Sequence, residues 1–260
     1  MMLDEIVAAT RARLPGLHRR ADAVRAAAGS AGPHPSFAEA LRAEGLSVVA
    51  EVKRRSPSRG DLAPDLDPFV QAGAYATGGA AAISVLTETD YFAGSMADLK
   101  AVAGAVPVPV LRKDFIVDPL QVWEAAAGGA AAVLLITAVL DDAELSSLIA
   151  EAGRADLDAL VEVHTEAEAH RAMAAGARVV GVNNRDLDDF SVDLTTAERI
   201  APLIVDAAVT VAESGVFTGL DAARMGAAGY DAVLVGEALV VADDPAGLVA
   251  ELRGDDDLVF

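Results

Sequence analysis

Lysine is scarce in this chain, and the positions of the few lysines point to chemistry. Among 260 residues, lysine occurs only at Lys53, Lys100 and Lys113, and two of the three, Lys53 and Lys113, adjoin short apolar runs. Lysine is normally a surface residue, and its charge is costly to bury without a partner. We therefore interpret Lys53 and Lys113 as functional side chains rather than as ordinary surface lysines.

Carboxylates lie in or beside the same kind of apolar run. Glu51 precedes Lys53 by two residues, so both side chains are expected on one face of a strand, where they can pair. Lys113, Glu162 and Glu213 lie at the ends of three later runs. A structural ion pair would explain Glu51 and Lys53 alone, but several further charges at the same edge favour a catalytic cluster.

The elements that position these residues are predicted by recurring apolar runs. Eight runs predict strands at residues 48–52, 82–86, 108–111, 132–136, 159–163, 179–182, 208–211 and 232–235. Helical patterns lie between them, at residues 69–76, 120–127, 141–152, 166–175, 194–200 and 220–228. Apolar runs without alternation are typical of parallel strands that are covered on both faces.

Eight such units in a chain of this length favour closure into a (β/α)₈ TIM barrel. Residues 1–45 form an extra N-terminal helical segment, broken at 29–33, and residues 46–260 form the barrel of one single domain. An open doubly wound sheet is the alternative, but it predicts a glycine-rich dinucleotide turn after the first strand, and that turn is absent. In such barrels the active site forms at the carboxyl ends of the strands, where the charged residues lie.

Two glycines suggest a phosphate-binding edge. Gly215 and Gly236 lie near the ends of the seventh and eighth predicted strands, where these barrels usually hold a phosphate, although either glycine also suits a plain turn. Phe92 and Phe115 lie in predicted loops and either line an aromatic pocket or cover the core. His164 follows the fifth predicted strand and could serve as a base, but a loop histidine beside a helix cap is at least as often simply solvated, so we do not include it in the site.

The composition excludes several classes of protein. The net charge of −20 opposes binding to nucleic acid and to anionic lipid. No apolar run approaches the roughly 18 residues that a membrane span needs, and no basic, apolar secretory signal opens the chain. Cysteine is absent, and no histidine pair has metal-ligand spacing, so no metal is expected. We expect a cytoplasmic protein whose acidity reflects either salt adaptation or biased codon usage.

The residues around the charged positions resemble those of a known family. Residues 48–62 read Val-Val-Ala-Glu-Val-Lys-Arg-Arg-Ser-Pro-Ser-Arg-Gly-Asp-Leu, which is similar to the first-strand signature of the indole-3-glycerol-phosphate synthase family. The likeness continues in order through residues 86–88, 91–95, 111–116, 160–164, 181–187, 211–215 and 235–239, and covers nearly the whole chain. The first- and third-strand motifs are highly specific, whereas Glu-Ser-Gly and Gly-Glu-Ala recur among phosphate-binding barrels.

The resemblance implies a lyase of tryptophan biosynthesis. Its substrate would be 1-(2-carboxyphenylamino)-1-deoxyribulose 5-phosphate, which closes to indole-3-glycerol phosphate with loss of carbon dioxide and water. By the same resemblance, Lys113 is the general acid of ring closure. The dehydration that follows needs an acid and a base, for which Lys53, Glu51 and Glu162 are the candidates, and we favour Glu162 as the base. Because coupled charges titrate together, the division of work between Lys53 and Lys113 stays open.

The resemblance also implies the residues that bind the substrate. Those that orient it or pack its ring are Asn183, Arg185, Glu213, Ser214, Phe92 and Phe115. Those on the phosphate side are Ser56, Lys53, Gly215, Gly236 and Glu237, with Glu237 contributing its backbone N–H. No cofactor is implied. The expected partner is a small phosphorylated molecule, with no nucleic acid or membrane, and the chain is expected to be a monomer or a weak homo-oligomer.

Three alternatives remain at this point. A sugar-phosphate isomerase would be expected to use an Asp or Cys acid/base pair, and the Glu-x-Lys of the first strand argues against it. A Schiff-base aldolase would need a lysine with a depressed pKa. A barrel that only binds or regulates would be expected to have lost charged strand ends, and no such loss is evident.

Overall fold

Eight parallel strands alternate with helices and close into a barrel in the computed structural model, which describes residues 2–187 and 189–254. The strands are β1 (Ser47–Val52), β2 (Ala82–Leu86), β3 (Val110–Lys113), β4 (Ala132–Ile136), β5 (Asp158–Val163), β6 (Val179–Asn183), β7 (Val209–Glu213) and β8 (Ala232–Val235). Each strand pairs with its neighbours along the chain, and β1 pairs with both β2 and β8. The predicted fold class is therefore confirmed.

The helices are α1 (Met2–His18), α2 (Ala21–Ala28), α3 (Phe37–Ala40), α4 (Pro68–Thr77), α5 (Met96–Ala103), α6 (Pro119–Ala127), α7 (Asp142–Arg154), α8 (Glu166–Ala174), α9 (Thr195–Ile200), α10 (Gly219–Ala227), α11 (Glu237–Val240) and α12 (Pro245–Arg253). Side-chain oxygens cap several N-termini, among them Asp67 before α4 and Asp141 before α7. No helix of the described ranges is both long and apolar enough to cross a membrane.

Two apolar layers cover every strand, because alternate side chains face opposite sides of the sheet. Val49 belongs to the cluster inside the barrel, together with Leu160 and Leu234. Its neighbours Val48 and Ala50 belong to the cluster between the barrel and the helices. The same alternation places Glu51 inside the barrel, one step nearer the carboxyl end than Val49.

The N-terminal segment packs against both ends of the barrel. Helix α3 contributes Phe37 and Leu41, the residue after it, to the interior cluster, and the backbone N–H of Ala38 donates to Asp158 at the start of β5. Helix α1 reaches the opposite end, where Arg13 forms an ion pair with Glu88, after β2. Thus α3 closes the amino end of the barrel, while α1 borders the carboxyl end.

Some predicted boundaries differ from the structure. Strands β3 and β7 extend two residues beyond their predicted ends, so Lys113 and Glu213 are the last residues of strands rather than loop residues. Helices α5, α11 and α12 lie in segments for which no helix was predicted. Trp123 of α6 packs beside Leu17 and Val24 of the N-terminal helices. Residues 1, 188 and 255–260 of the predicted extension and barrel lie outside the described residues.

Candidate active site

A cavity opens at the carboxyl ends of the strands. All the predicted site residues except Glu213 line it, namely Glu51, Lys53, Ser56, Phe92, Lys113, Phe115, Glu162, Asn183, Arg185, Ser214, Gly215, Gly236 and Glu237. Met2, Leu3 and Ile6 of α1 also border it. The structure therefore gathers residues that lie up to about 186 positions apart in the chain into one site.

Lys113 is the centre of the charged cluster. Its Nζ lies 3.3 Å from Oε2 of Glu213, 3.5 Å from Oε2 of Glu51 and 3.8 Å from Oε2 of Glu162. The three carboxylates come from β7, β1 and β5, so the closed barrel brings them to one ammonium from different directions. Such a concentration of buried charge is typical of catalytic sites.

Lys53 and Glu51 form the ion pair expected from their spacing. Lys53 Nζ lies 2.8 Å from Oε1 of Glu51, and Oε2 of Glu51 accepts a hydrogen bond from Ser84 of β2. The Glu51 carboxylate therefore lies between Lys53 and Lys113. It links the two lysines that sequence analysis singled out.

The environment fixes the charge states of this cluster. Burial alone would raise the pKa of Glu51, but Lys53 and Lys113 outweigh burial and hold it below its usual value. Burial alone would lower the pKa of Lys113, but Glu51, Glu213 and Glu162 raise it above that of an ordinary lysine. Lys113 is consequently an ammonium at neutral pH, in contact with at least one ionised carboxylate.

Glu213 differs from the other two carboxylates. Burial is the largest influence on it and, helped by repulsion from Glu162 and Glu51, raises its pKa to about 8 despite the proximity of Lys113. Its carboxyl group lies directly against the backbone of Gly181 on β6, where a Cβ atom would collide with Oε1. Glycine at position 181 thus makes room for Glu213 beneath Lys113, and the Glu213 carboxyl is the protonated member of the cluster at neutral pH.

His164, which was not among the predicted site residues, is buried rather than solvated. Its side chain is only 9% exposed, and its ring lies between two carboxylates. Nε2 lies 3.3 Å from Oε1 of Glu162, and Nδ1 lies 3.3 Å from Oε2 of Glu168 on α8. The signal that would have found it is its two-residue spacing from Glu162, the same spacing that places Glu51 and Lys53 together.

An apolar wall borders the charged cluster. Phe92 and Phe115 face each other with ring centroids 6.2 Å apart and planes tilted by 40°. Both are partly buried and lie beside Ile6 of α1 in the cavity lining. An aromatic ring bound here would therefore meet aromatic and aliphatic side chains.

Buried polar residues hold the loops that carry these phenylalanines. The Glu88 carboxylate accepts hydrogen bonds from the backbone N–H groups of Asp90, Tyr91 and Phe92, and from Arg13 of α1. Sequence analysis gave Glu88 no specific role. Its function in the structure is to shape the loop after β2 and attach it to α1.

The loop after β3 has a comparable anchor. Asp114 accepts from the backbone N–H of Phe115 and from the guanidinium of buried Arg112. Arg112 also donates to Thr87 and to the carbonyl of Gln121, which ties the loop to α6. Asp114 therefore positions the residues beside Lys113, a role that was not predicted for it.

The opposite side of the cavity is formed by the ends of β7 and β8. Ser214 and Gly215 both have left-handed backbones, with φ of 62° and 84°, a conformation that is uncommon for serine. Buried Asn184, after β6, donates through Nδ2 to the carbonyls of Glu213 and Ser214 and so supports this turn. The short helix α11 begins at Glu237, directly after Gly236.

Arginines surround the Glu237 carboxylate at this side of the cavity. Its Oε1 lies 3.2 Å from Nε of Arg59, and its Oε2 lies 3.9 Å from Nη2 of Arg185. The backbone N–H of Arg185 donates to Asn183, and Ser56 is buried nearby in a short hairpin. Two guanidinium groups thus offset the negative charge that Glu237 would present to an anionic ligand.

Within residues 2–187 and 189–254, no group of three or more His, Asp or Glu side chains has an arrangement that could hold a metal ion. The space among Glu51, Glu162 and Glu213 is taken by the Lys113 ammonium. The site presents an ammonium acid, ionised carboxylates and an apolar wall, a combination suited to acid/base chemistry on a substrate that carries an aromatic ring.

Known structures resemble the fold. A thiamine phosphate pyrophosphorylase from Pyrococcus furiosus superposes with a TM-score of 0.62 and 21% sequence identity, covering 82% of this chain and 96% of that one. A crystal structure of 3-hexulose-6-phosphate synthase has the same TM-score of 0.62 at 20% identity, covering 81% and 98% of the two chains. At these identities the likeness supports the TIM-barrel fold alone.

Sequence relatives are much closer. An indole-3-glycerol phosphate synthase from Nocardioides sp. is 53% identical over 97% of this chain and 98% of its own. Another from Streptomyces griseus is 50% identical over 96% and 94%. The indole-3-glycerol phosphate synthase family itself matches residues 3–252. This chain belongs to the indole-3-glycerol phosphate synthase family.

Proposed function

We propose that this chain closes 1-(2-carboxyphenylamino)-1-deoxyribulose 5-phosphate to indole-3-glycerol phosphate, releasing carbon dioxide and water. Family membership gives the reaction, and one observation carries its assignment to residues: the Lys113 ammonium lies among three carboxylates at the floor of a cavity with an aromatic wall. The reaction needs an acid, a base and a place for an aromatic ring, and each has a counterpart in this cavity.

The substrate would lie across the cavity. Its aromatic ring packs against Phe92 and Phe115, and its phosphate binds at the turn of Gly215 and at Gly236, with Ser56 and Lys53 beside it. A site between the loops after the seventh and eighth strands and a short extra helix is where these barrels commonly hold phosphate, and α11 supplies such a helix. Asn183, Arg185, Ser214 and Glu213 are assigned to orientation of the sugar chain.

Ring closure requires charge stabilisation at the ketone oxygen. As the ring carbon attacks the ketone, negative charge develops on that oxygen, and the Lys113 ammonium donates to it. The surrounding carboxylates keep Lys113 protonated before the reaction, as their effect on its pKa indicates. Loss of carbon dioxide then returns the electrons of the broken bond to the ring and restores its aromaticity.

Dehydration requires an acid for the departing hydroxyl and a base for a ring proton. We assign the base to Glu162. Burial raises the pKa of its carboxyl, but His164, Lys113 and Asn183 outweigh burial and lower it, so that Glu162 is ionised at neutral pH. Lys53 and Glu51 assist from the end of β1, where Nζ of Lys53 lies 2.8 Å from Oε1 of Glu51. Lys53 then supplies the hydroxyl's proton, or Lys113 does so after reprotonation.

The test is direct. The folded wild-type protein is expected to convert the synthetic carboxyphenylamino-deoxyribulose phosphate to a product with indole fluorescence, and Glu162→Gln is expected to lose on the order of 10²–10⁴-fold in kcat. No product from the folded wild type would overturn the function. Full activity in Glu162→Gln would overturn the assignment of the base while leaving the function in place.

The charge around Lys113 argues against the Schiff-base alternative. An amine must lose its proton before it attacks a carbonyl, and the three carboxylates oppose that loss by raising the pKa of Lys113. Borohydride reduction in the presence of a sugar phosphate is therefore expected to leave the protein mass unchanged.

We also propose that the protein is cytoplasmic and is a monomer or a weak homo-oligomer. The net charge of −20 and the absence of cysteine support this proposal, since self-repulsion disfavours association and no disulfide can form. Sedimentation at several protein concentrations and salt levels is expected to give a mainly monomeric species.

A further inference from the structure

The start of α8 fixes the imidazole of His164 from one side. Thr165 caps the helix by accepting from the backbone N–H of Glu168 at 3.2 Å. The Glu168 carboxylate then turns back, accepting from the backbone N–H of His164 at 2.7 Å and contacting Nδ1 of the same residue at 3.3 Å. One carboxylate oxygen thus holds both the backbone and the ring of His164, which leaves Nε2 directed into the barrel.

Two cations divide the Glu162 carboxylate between them. Oε1 lies 3.3 Å from Nε2 of His164, and Oε2 lies 3.8 Å from Nζ of Lys113. Burial lowers the pKa of His164, but its contacts with Glu162 and Glu168 outweigh burial and raise the pKa to about 10. These contacts favour the imidazolium form, in which both ring nitrogens carry a proton, and each nitrogen lies 3.3 Å from a carboxylate oxygen.

We propose that His164 is a positioning residue, which holds the carboxylate of Glu162 ionised and oriented toward the substrate. This inference rests on the proposed function, in which Glu162 is the base. A residue that abstracts a proton must keep both its rotamer and its charge, and a buried carboxylate loses its charge unless cations face it. Lys113 alone is shared among three carboxylates, so Glu162 needs the second cation that the Glu168–His164 pair supplies.

The other charged groups around Glu162 support a positioning role for His164. Lys113 contacts Glu162 from β3, and His164 contacts it from the residue after β5. Glu213 on β7 and Glu51 on β1 are the other carboxylates that contact Lys113. Repulsion between Glu162 and Glu213 raises the pKa of Glu213 and so favours its protonated form beside an ionised Glu162. Lys113 is shared among Glu51, Glu162 and Glu213, whereas the second contact of His164 is Glu168, which does not contact Lys113.

Matched variants test the proposal. His164→Leu removes both contacts, His164→Gln keeps an amide donor for Glu162, and Glu168→Gln loosens the ring. We expect His164→Leu to lower kcat by about tenfold, less than loss of the base itself, with KM within about twofold of wild type. The acid limb of its kcat/KM profile should lie at higher pH than that of wild type. His164→Gln should recover part of the loss, and Glu168→Gln should show a smaller loss.

The control is His170→Gln, which replaces an exposed histidine of α8, the helix that carries Glu168. It should leave kcat and the pH profile unchanged. A second measurement does not need turnover: the Glu162 carboxyl, followed by ¹³C NMR, should titrate at higher pH in His164→Leu than in wild type.

Three outcomes decide the matter. An unchanged pH profile and an unchanged Glu162 titration in folded His164→Leu would overturn the proposal. So would a loss of activity that His164→Gln fails to recover while the Glu162 titration stays in place, because that pattern indicates a packing role. An inactive wild type would instead overturn the proposed function, and the NMR titration would then still show whether His164 controls the ionisation of Glu162.

Discussion

A Cβ atom on Gly236 would lie 2.6 Å from Oε1 of Glu51, closer than any real contact allows. The same atom would lie 2.9 Å from Nζ of Lys53. The absence of a side chain at Gly236 therefore leaves room for the Glu51–Lys53 pair, in addition to the phosphate contact that we propose for its backbone N–H.

Gly236→Ala is expected to push Glu51 and Lys53 out of place and to lower kcat/KM, on the order of 10²-fold for a displacement of about 1 Å. Steady-state kinetics with the proposed substrate measure this, and circular dichroism checks the fold. Gly153→Ala on α7 is the matched control, because a Cβ there meets nothing within 4 Å. If Gly236→Ala keeps wild-type kcat/KM, the pair does not need this space.

Lys113→Met is expected to abolish activity and to weaken folding in a pH-dependent manner. Removing the ammonium leaves Glu51, Glu162 and Glu213 without their shared cation, a loss of about 3–5 kcal/mol for a broken buried pair. The pKa values of Glu51 and Glu162 should then rise, so the variant binds protons that wild type does not. Its stability deficit, measured by urea unfolding, should grow between about pH 5 and pH 8.

Lys113→Arg is the companion variant, since it keeps the positive charge but changes the donor geometry. It should recover most of the stability and little of the activity. An equal deficit at both pH values in Lys113→Met would show that the carboxylates do not depend on Lys113 for their charge.

Glu213→Gln should change how stability depends on pH. The folded-state pKa of Glu213 is raised from 4.5 to about 8, chiefly by burial, so the folded protein holds a proton that the unfolded chain releases above 4.5. This group therefore contributes a loss of stability as pH rises from 4.5 to about 8. Denaturant unfolding across this range should show a less negative slope for Glu213→Gln than for wild type, and parallel curves would contradict the assignment.

Glu88→Ala should affect substrate binding more than chemistry. Without its carboxylate, the backbone N–H groups of Asp90, Tyr91 and Phe92 and the guanidinium of Arg13 lose their acceptor. The loop that carries Phe92 should then become mobile, raising KM severalfold while kcat changes little. Glu44→Ala, at an exposed acidic position, is the control. A fall in kcat with an unchanged KM would place Glu88 in the chemistry instead.

The apolar runs predicted the fold well because both faces of every barrel strand are buried. Where the prediction of β3 and β7 stopped short, the missing residues included Lys113 and Glu213, charged side chains that interrupt an apolar run although they continue the strand. Function and hydrophobic pattern conflict at these positions. Helix α12, Pro245–Arg253, was missed although Asp244 caps it, because short segments near a chain end give weak periodicity.

The site was predictable where spacing within one strand determines a contact, as for Glu51 and Lys53. It was not predictable where contacts join distant segments. His164 lies between these two cases, because its two-residue spacing from Glu162 is a local signal that the prediction did not use. The space at Gly181 has meaning only once β7 places Glu213 against it. That relationship has no local signature in the sequence.

Helix α3 helps to close the amino end of the barrel, and the cavity opens at the carboxyl end. Because Phe37 and Leu41 fill its amino end and join the interior cluster, nothing passes through the barrel from that side. Substrate, carbon dioxide, water and the indole product must therefore share the mouth bordered by α1. Because the substrate enters through the opening by which the product leaves, the bulky indole product has to dissociate before the next turnover can begin.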